Sequence, residues 1–223
     1  MRKIAILGTA PSSIALAPYN DPSWEIWNIG ANQVHGQRFD RWFELHTKYV
    51  LESAGAWVPR LPFLKEAGNK LIVGHLCTNE ELPEAQLFPL KEITEVFGSY
   101  FTSTVAWMIA LAIYEGVDQI GLWGVDMIGD LEYSYQRSGC EYMLGIAKGR
   151  GIKIVLPPQC PLLRAERMYG FEFTRLGSEI TQMNEELDKK ISESDASYMK
   201  AYGDKEFYRG QQLMLKNIEM RWG

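Results

Sequence analysis

Cysteine and histidine are both scarce in this sequence. The three cysteines, Cys77, Cys140 and Cys160, are odd in number and lack the spacing of a zinc site. Of the three histidines, none follows His75. The number and spacing of the cysteines argue against a cysteine-based metal centre and are typical of a protein in a reducing compartment. We therefore expect a cytoplasmic protein whose site does not require a metal.

The chain also lacks a long apolar run and an excess of positive charge. The opening MRKIAILG places a basic pair before an apolar stretch that is too short for a signal peptide, and no segment reaches membrane-spanning length. We therefore expect no membrane partner. The net charge of −5 counts against a surface that binds nucleic acid as a whole, so DNA stays open as a partner but is not favoured.

What the sequence does contain is an alternation of short apolar strands and helices. With 223 residues and 46% hydrophobic content, it can bury one full core. The alternation predicts an α/β fold: a Rossmann-like open, mostly parallel sheet with helices on both faces over residues 1–173, and a C-terminal helical appendage over residues 174–223. The predicted strands are 3–7, 24–28, 41–46, 70–75, 119–124 and 152–156.

Composition changes beyond about residue 175. Apolar residues at positions 180, 183, 187 and 191 follow helical spacing, and a second apolar pattern runs from residue 208 to residue 220. We predict two helices here. They pack either against the preceding domain or against another subunit, in which case the protein is a homo-oligomer.

The segment from residue 100 to residue 126 organises the rest of the chain. Thr102 or Ser103 can cap a helix that is apolar all round from residue 105 to residue 114, and Gly116 can end it. A buried strand follows, with Asp126 at its carboxyl end. Because ligands bind at that edge of an open α/β sheet, Thr102, Ser103, Thr104 and Asp126 should converge on one site.

The loop after the first strand, residues 8–13, has the composition of an anion-binding turn. Gly8, Thr9 and Ser12 stand where backbone amides and a helix N-terminus can hold a phosphate. The loop lacks the Gly-Lys-Ser/Thr ending of a P-loop and the three glycines of a dinucleotide fingerprint. A tight turn with a serine cap explains the same residues equally well.

Polar residues also follow the second and third predicted strands. Asn28 and Asn32 carry paired donors and acceptors suited to a base or a sugar hydroxyl, although asparagine is equally common in turns. Glu44 and His46 are two residues apart at a strand end, so both face the same side and can form an acid/base pair. A structural histidine is the alternative. His35 and His75 have weaker contexts.

The segment after Asp126 is polar and aromatic, and we interpret it as a loop. Tyr133, Tyr135 and Gln136 can hold a phosphate. Carboxylates at Asp126, Asp130 and Glu132 can instead take a magnesium ion. A solvated loop whose tyrosines cover the core is the third interpretation.

Residues 47–90 give a weaker secondary-structure signal because prolines interrupt them, and they can form a lid or an acceptor pocket.

Three motifs together resemble a Rossmann-like transferase superfamily. They are Gly8-Thr-Ala-Pro-Ser12, Tyr100-Phe-Thr-Ser-Thr104 and Gly121-Leu-Trp-Gly-Val-Asp126. The superfamily includes the bacterial lipooligosaccharide sialyltransferases, which use CMP-sialic acid, and the MptE-like pterin diphosphokinases. The combination is similar to uncharacterised phage-encoded proteins that also carry Phe-Glu-Leu-His. The likeness covers roughly residues 1–170 and implies a site for a nucleotide-activated small molecule.

The sequence departs from the sialyltransferases at several motif positions. Their first loop reads Gly-Asn-Gly-Pro-Ser and their helix opening reads Thr-Ser-Gly, and both contact the donor, whereas here Thr9, Ala10 and Thr104 replace three of these residues. Their catalytic histidine lies in the C-terminal half, where this chain has none. The resemblance therefore leaves His46, Glu44 or Asp126 as candidates for the base.

The leading interpretation is a glycosyltransferase that moves a sugar from a nucleotide-sugar donor to a hydroxyl acceptor. If the protein is phage-encoded, the acceptor could include a modified DNA base. Two alternatives stay open: a diphosphotransferase that uses ATP and magnesium, and a protein that binds or sequesters a nucleotide without catalysis.

Overall fold

The computed structural model describes residues 1–30, 37–74, 81–129, 131–165, 169–170 and 175–222. The chain divides into two compact units, residues 1–164 and residues 165–223. Residues 171–174 lie outside the described ranges, so the boundary between residues 173 and 174 stays a prediction.

The first unit is built on a seven-stranded sheet in which every strand pair is parallel. The spatial order is β5-β4-β3-β2-β1-β6-β7. This confirms the Rossmann-like α/β prediction, although the two-residue strand β5 was not predicted. The strands are β1 Lys3–Leu7, β2 Trp24–Ile29, β3 Arg41–Glu44, β4 Leu71–Val73, β5 Gln86–Leu87, β6 Gln119–Trp123 and β7 Lys153–Val155.

Helices cover both faces of this sheet because alternate strand residues point to opposite sides. Ile4 and Ile6 face a core formed with α3 (Leu90–Phe97), α4 (Thr104–Tyr114) and α5 (Leu131–Gly149). On the other face, Trp42 and Val73 pack against α1 (Lys48–Ser53) and α2 (Trp57–Ala67).

Helix α4 matches its predicted form. Eight of its eleven residues are buried, as expected for a helix that is apolar all round. The side chain of Ser103 caps its start, and Gly116 follows its end with a φ of 69°, a backbone conformation that glycine adopts without strain. Strand β6 after it is buried along its whole length, so it crosses the middle of the core.

Two helical predictions were wrong. The residues after Asp126 form α5 from Leu131 onward instead of a loop, since Glu132 near the start suits the helix dipole and no proline interrupts the segment. The C-terminal residues form one helix, α6 (Arg175–Trp222), instead of two. Glycines 203 and 210 each disfavour a helix by about 1 kcal/mol, which weakens it without ending it.

Residues 47–74 are more regular than their prolines suggested. Pro59 is tolerated because it lies in the first turn of α2, where the backbone N–H would have no helical partner, and Pro62 lies inside the helix.

Within the described ranges, no helix combines the length and apolarity needed to cross a bilayer.

A ring of alternating charges closes the amino-terminal edge of the sheet. The Glu115 carboxylate accepts hydrogen bonds from Arg2 Nη2 at 2.6 Å and from Arg41 Nη1 at 2.5 Å. The same two guanidinium groups also contact Glu25, at 2.9 and 3.1 Å. Because Glu115 is the C-cap of α4, the arginines offset both its charge and the negative end of the helix dipole.

We predict that Glu115→Gln lowers the free energy of unfolding by about 1 kcal/mol, because it leaves two partly buried arginines with one carboxylate. Urea denaturation at low and high salt measures the loss. Glu95→Gln is the control, since its ion pair with Lys91 is exposed and 4.0 Å long. Equal losses for the two variants would contradict a stabilising role for the ring.

Candidate functional site

The topological switch point of the sheet lies between β1 and β6. The chain runs outward from β1 through β2 to β5 on one side, and from β6 to β7 on the other. In open parallel sheets, ligands bind outside the carboxyl ends of the strands at this point. The loops after β1 and β6 are therefore the candidate ligand-binding loops.

Backbone contacts join these two loops directly. Gly8 N donates to Trp123 O at 2.8 Å, Ala10 N donates to Gly124 O at 2.9 Å, and Gly124 N donates to the buried hydroxyl of Ser13 at 2.8 Å. A Cβ on Gly8 would lie 2.1 Å from the Gly124 carbonyl oxygen. Gly8 is therefore needed for the close approach of the two loops, a role that the sequence did not reveal.

Ser12 and Asp126 meet on this joined segment. The Ser12 hydroxyl donates to Asp126 Oδ1 at 2.8 Å. Directly after Asp126, the backbone of Met127 has a φ of 51°, which is unusual for a residue other than glycine. Such strain often accompanies functional sites. The first loop and Asp126 thus meet, whereas the convergence of Thr102, Ser103 and Thr104 on Asp126 stays a prediction.

The start of α4 is held by α5. Ser103 Oγ accepts from Ala106 N at 3.2 Å and also lies 3.2 Å from Cys140 Sγ. Thr102 Oγ1 donates to the carbonyl of Gln136 at 3.0 Å. These hydroxyls have structural partners, and their predicted contact with a ligand stays a prediction, as does that of the half-buried Thr104. Burial raises the pKa of Cys140 to about 11, so its thiol is neutral.

Glu44 and His46 form the predicted pair at the end of β3. Glu44 is only 1% exposed, and its Oε1 lies 2.6 Å from His46 Nδ1. Its Oε2 accepts from Arg60 Nη1 at 2.9 Å. A Cβ on Gly30 would lie 1.8 Å from the same oxygen, so glycine makes room for the carboxylate. Arg60 lies on α2, in the segment whose sequence signal was weak, and was missed.

The surroundings of His46 favour its protonated form. The hydrogen bond to Glu44 has the largest effect and raises the pKa of His46 above 6.5, against the opposing effects of burial and of Arg60. Glu132 in the first turn of α5 adds a smaller electrostatic effect in the same direction. The His46 side chain is 51% exposed and therefore accessible to a ligand.

Other predicted residues lie on neighbouring elements. Asn28 is 3% exposed near the end of β2, the strand between β3 and β1. Thr9 is exposed in the first loop. Tyr133 and Tyr135 lie on the first turns of α5, and Gln136 Nε2 donates to Glu132 at 2.7 Å. Asn32, His35, His75 and Asp130 lie outside the described residues.

No group of three metal-binding side chains occurs among the residues that the structure describes. Asp130, one of the three proposed magnesium ligands, is not among them, so the magnesium alternative stays a prediction. The site instead has two polar groups on one rim: Ser12 with Asp126, and Glu44 with His46 and Arg60. Strands β6 and β3 are three strand spacings apart, or about 14 Å, so an extended ligand could contact both groups.

Comparison with known proteins gives structural neighbours only. No protein-family model matches the chain, and no curated protein matches it. The sialyltransferase CstII from Campylobacter jejuni, in complex with CMP-3FNeuAc, shares 18% identity at a TM-score of 0.46, covering 72% of this chain and 81% of that one. The monofunctional alpha-2,3-sialyltransferase Cst-I from the same organism shares 17% identity at a TM-score of 0.45, covering 86% and 96%. At TM-scores below 0.5, the likeness assigns no function to these residues.

We predict that His46 titrates above pH 6.5 in the folded protein and that Glu44→Gln lowers this pKa. The His46 pKa is raised on folding, so its contribution to stability is complete below the unfolded value and is lost as pH rises through the folded value. NMR titration of the ring protons measures the pKa. A value at or below 6.5 in the wild-type protein would contradict the pairing.

Gly8→Ala is predicted to destabilise the protein by about 1–3 kcal/mol, because its methyl group would overlap the Gly124 carbonyl. Gly145→Ala is a matched control, since nothing lies within 4 Å of its Cβ position in α5. That change should stabilise the helix by about 0.5–1 kcal/mol. Thermal unfolding of both variants tests the contrast, and a Gly8→Ala protein as stable as the wild type would refute the close contact.

Proposed function

We propose that this protein is a glycosyltransferase that moves a sugar from a nucleotide-sugar donor to a hydroxyl acceptor. The observation that carries the proposal is the buried Glu44 carboxylate, fixed by Arg60 and bonded to the half-exposed His46 at the ligand-binding edge of the sheet. A buried carboxylate that orients an accessible imidazole is the usual arrangement of a general base.

His46 supplies the proton acceptor in this mechanism. When Nδ1–H donates to Glu44, the neutral ring carries its lone pair on Nε2, which takes the proton of the acceptor hydroxyl. The acceptor oxygen then bonds to the anomeric carbon of the sugar, and the bond from that carbon to the donor phosphate breaks. Arg60 holds Glu44 in place, so it positions the base without touching the substrate.

The leaving phosphate requires donors rather than a base. The N-terminal turn of α5, with Tyr133 and Tyr135 exposed there, can stabilise its negative charge. The Ser12 hydroxyl has a single proton, so it can join these donors only when it turns away from Asp126. Asp126 already accepts from Ser12, which suits a carboxylate that orients this hydroxyl or binds a sugar hydroxyl. It is the second candidate for the base.

The donor class to test first is a cytidine nucleotide sugar, because the motifs of this chain resemble those of transferases that use CMP-sialic acid. The departures at Thr9, Ala10 and Thr104 affect the positions that contact the donor in those enzymes, so other bases belong in the same screen. A modified DNA base is a narrower acceptor hypothesis, motivated only by the resemblance to phage-encoded proteins.

We predict that His46→Gln keeps donor binding and lowers turnover by about 10²–10⁴-fold, as loss of a general base does. The wild-type rate should rise as pH passes through the raised pKa of His46, since the neutral ring is the active form. Thermal shift against CMP, UDP, GDP and adenosine ligands, with and without magnesium, identifies the donor. Hydrolysis or transfer assays with the corresponding nucleotide sugar then measure turnover.

Lys91→Gln, on an exposed ion pair of α3, is the control and should change neither property. A thermal response to ATP with magnesium alone would reject the glycosyltransferase in favour of diphosphate transfer. Binding of a nucleotide with no turnover of any donor would indicate a nucleotide-binding protein without catalysis. Turnover that His46→Gln does not lower would reject His46 as the base.

A further inference from the structure

Helix α6 exposes apolar side chains along most of its length. It contains 48 residues, so it extends about 72 Å at 1.5 Å per residue. Its described side chains are exposed except at Gly177 and Thr181, which are half-buried. Most helices in proteins are stabilised by packing of an apolar face, so a helix with this much exposed apolar surface calls for a partner.

Seven of the fourteen large apolar side chains that α6 exposes form, together with Arg209, one line with an eleven-residue repeat, which we call the α6 stripe. Its positions alternate in steps of seven and four residues, and an eleven-residue repeat gives 3.67 residues per turn, so the line stays almost parallel to the helix axis. All of its apolar members are between 49% and 78% exposed. The stripe consists of Ile180, Leu187, Ile191, Tyr198, Tyr202, Arg209, Leu213 and Met220.

The spacing of the positions in the α6 stripe is the same in both directions along the helix. Its positions are symmetric about residue 200, so a second copy in antiparallel orientation places Tyr198 opposite Tyr202 and Leu187 opposite Leu213. In the same register, Ile180 lies opposite Met220. Arg209 lies opposite Ile191, where its aliphatic stem can cover the apolar neighbour. A two-fold interface needs this kind of self-complementary surface.

Charge along the helix selects the same orientation. Residues 176–198 contain six acidic and two basic residues, for a net charge of −4, whereas residues 199–222 contain three acidic and five basic residues, for a net charge of +2. An antiparallel pair brings the acidic half of one copy against the basic half of the other, with Asp195 opposite Lys205. A parallel pair would instead align like charges, which is unfavourable.

We propose that α6 pairs with α6 of a second copy in antiparallel orientation through the α6 stripe, so that the protein is a homodimer. This interface is argued from the second unit alone and does not depend on the proposed glycosyltransferase activity.

The first test is the mass of the full-length protein in solution, measured by sedimentation equilibrium at about 1–100 μM, the range in which micromolar to nanomolar contacts are detected. The wild-type protein should be a dimer. Leu213→Asp should weaken dimerisation at least tenfold, while Gln211→Asp should not, because it places the same carboxylate about 200° away around the helix. A monomeric, trimeric or tetrameric wild-type protein would overturn the proposal, as would equal effects of the two variants.

Disulfide trapping tests orientation without disrupting the helix. In a Cys77→Ser background, whose remaining cysteines are buried, Leu187→Cys and Leu213→Cys are prepared as separate full-length variants. Mixing them under mild oxidation should give the mixed disulfide, because these positions face each other only in the antiparallel pair. Rapid disulfide formation within each variant alone, with none between them, would show a parallel pair and overturn the proposed interface.

Discussion

The close approach of the β1 and β6 loops sets the geometry of the whole ligand-binding edge. Gly8 has no side chain where the Gly124 carbonyl passes, and the buried Ser13 hydroxyl satisfies the Gly124 amide. With this contact in place, Ser12 reaches Asp126 and the chain can diverge to opposite sides of the sheet. Any side chain at position 8 would separate the two strand ends that the switch point requires.

Burial of Glu44 imposes a second constraint at the same edge. A carboxyl group that is 1% exposed needs partners, because unpaired burial of a polar or charged group is costly. Arg60 and His46 supply them, and as a result the imidazole is oriented and its pKa is raised. At the opposite edge, the ring of Arg2, Glu25, Arg41 and Glu115 is internally neutralised. The charged groups at the two edges thus differ in their effect. Those at the amino-terminal edge neutralise one another, whereas Glu44 at the ligand-binding edge forms a hydrogen bond with an accessible histidine.

The sequence predicted those parts of the site whose signals are local. Glu44 and His46 are two residues apart, so strand geometry alone places them together, although β3 ends at Glu44 and not at His46 as predicted. The apolar run predicted a cap at Thr102 or Ser103, and Ser103 is the cap. Arg60 was missed because prolines obscured α2, and the helix after Asp126 was missed because its many polar residues resemble a loop.

Hydrophobic periodicity and cap chemistry in the sequence by themselves determined six of the seven strands, the buried helix α4 and the position of polar loops after these strands. These properties depend on residues within a few positions of one another. Only the tertiary structure decided which distant groups meet: Arg60 with Glu44, Ser13 with Gly124, and Thr102 with Gln136. Their partners lie 16 to 111 residues apart, and no local pattern specifies a contact across that distance, because it arises from strand order and helix packing.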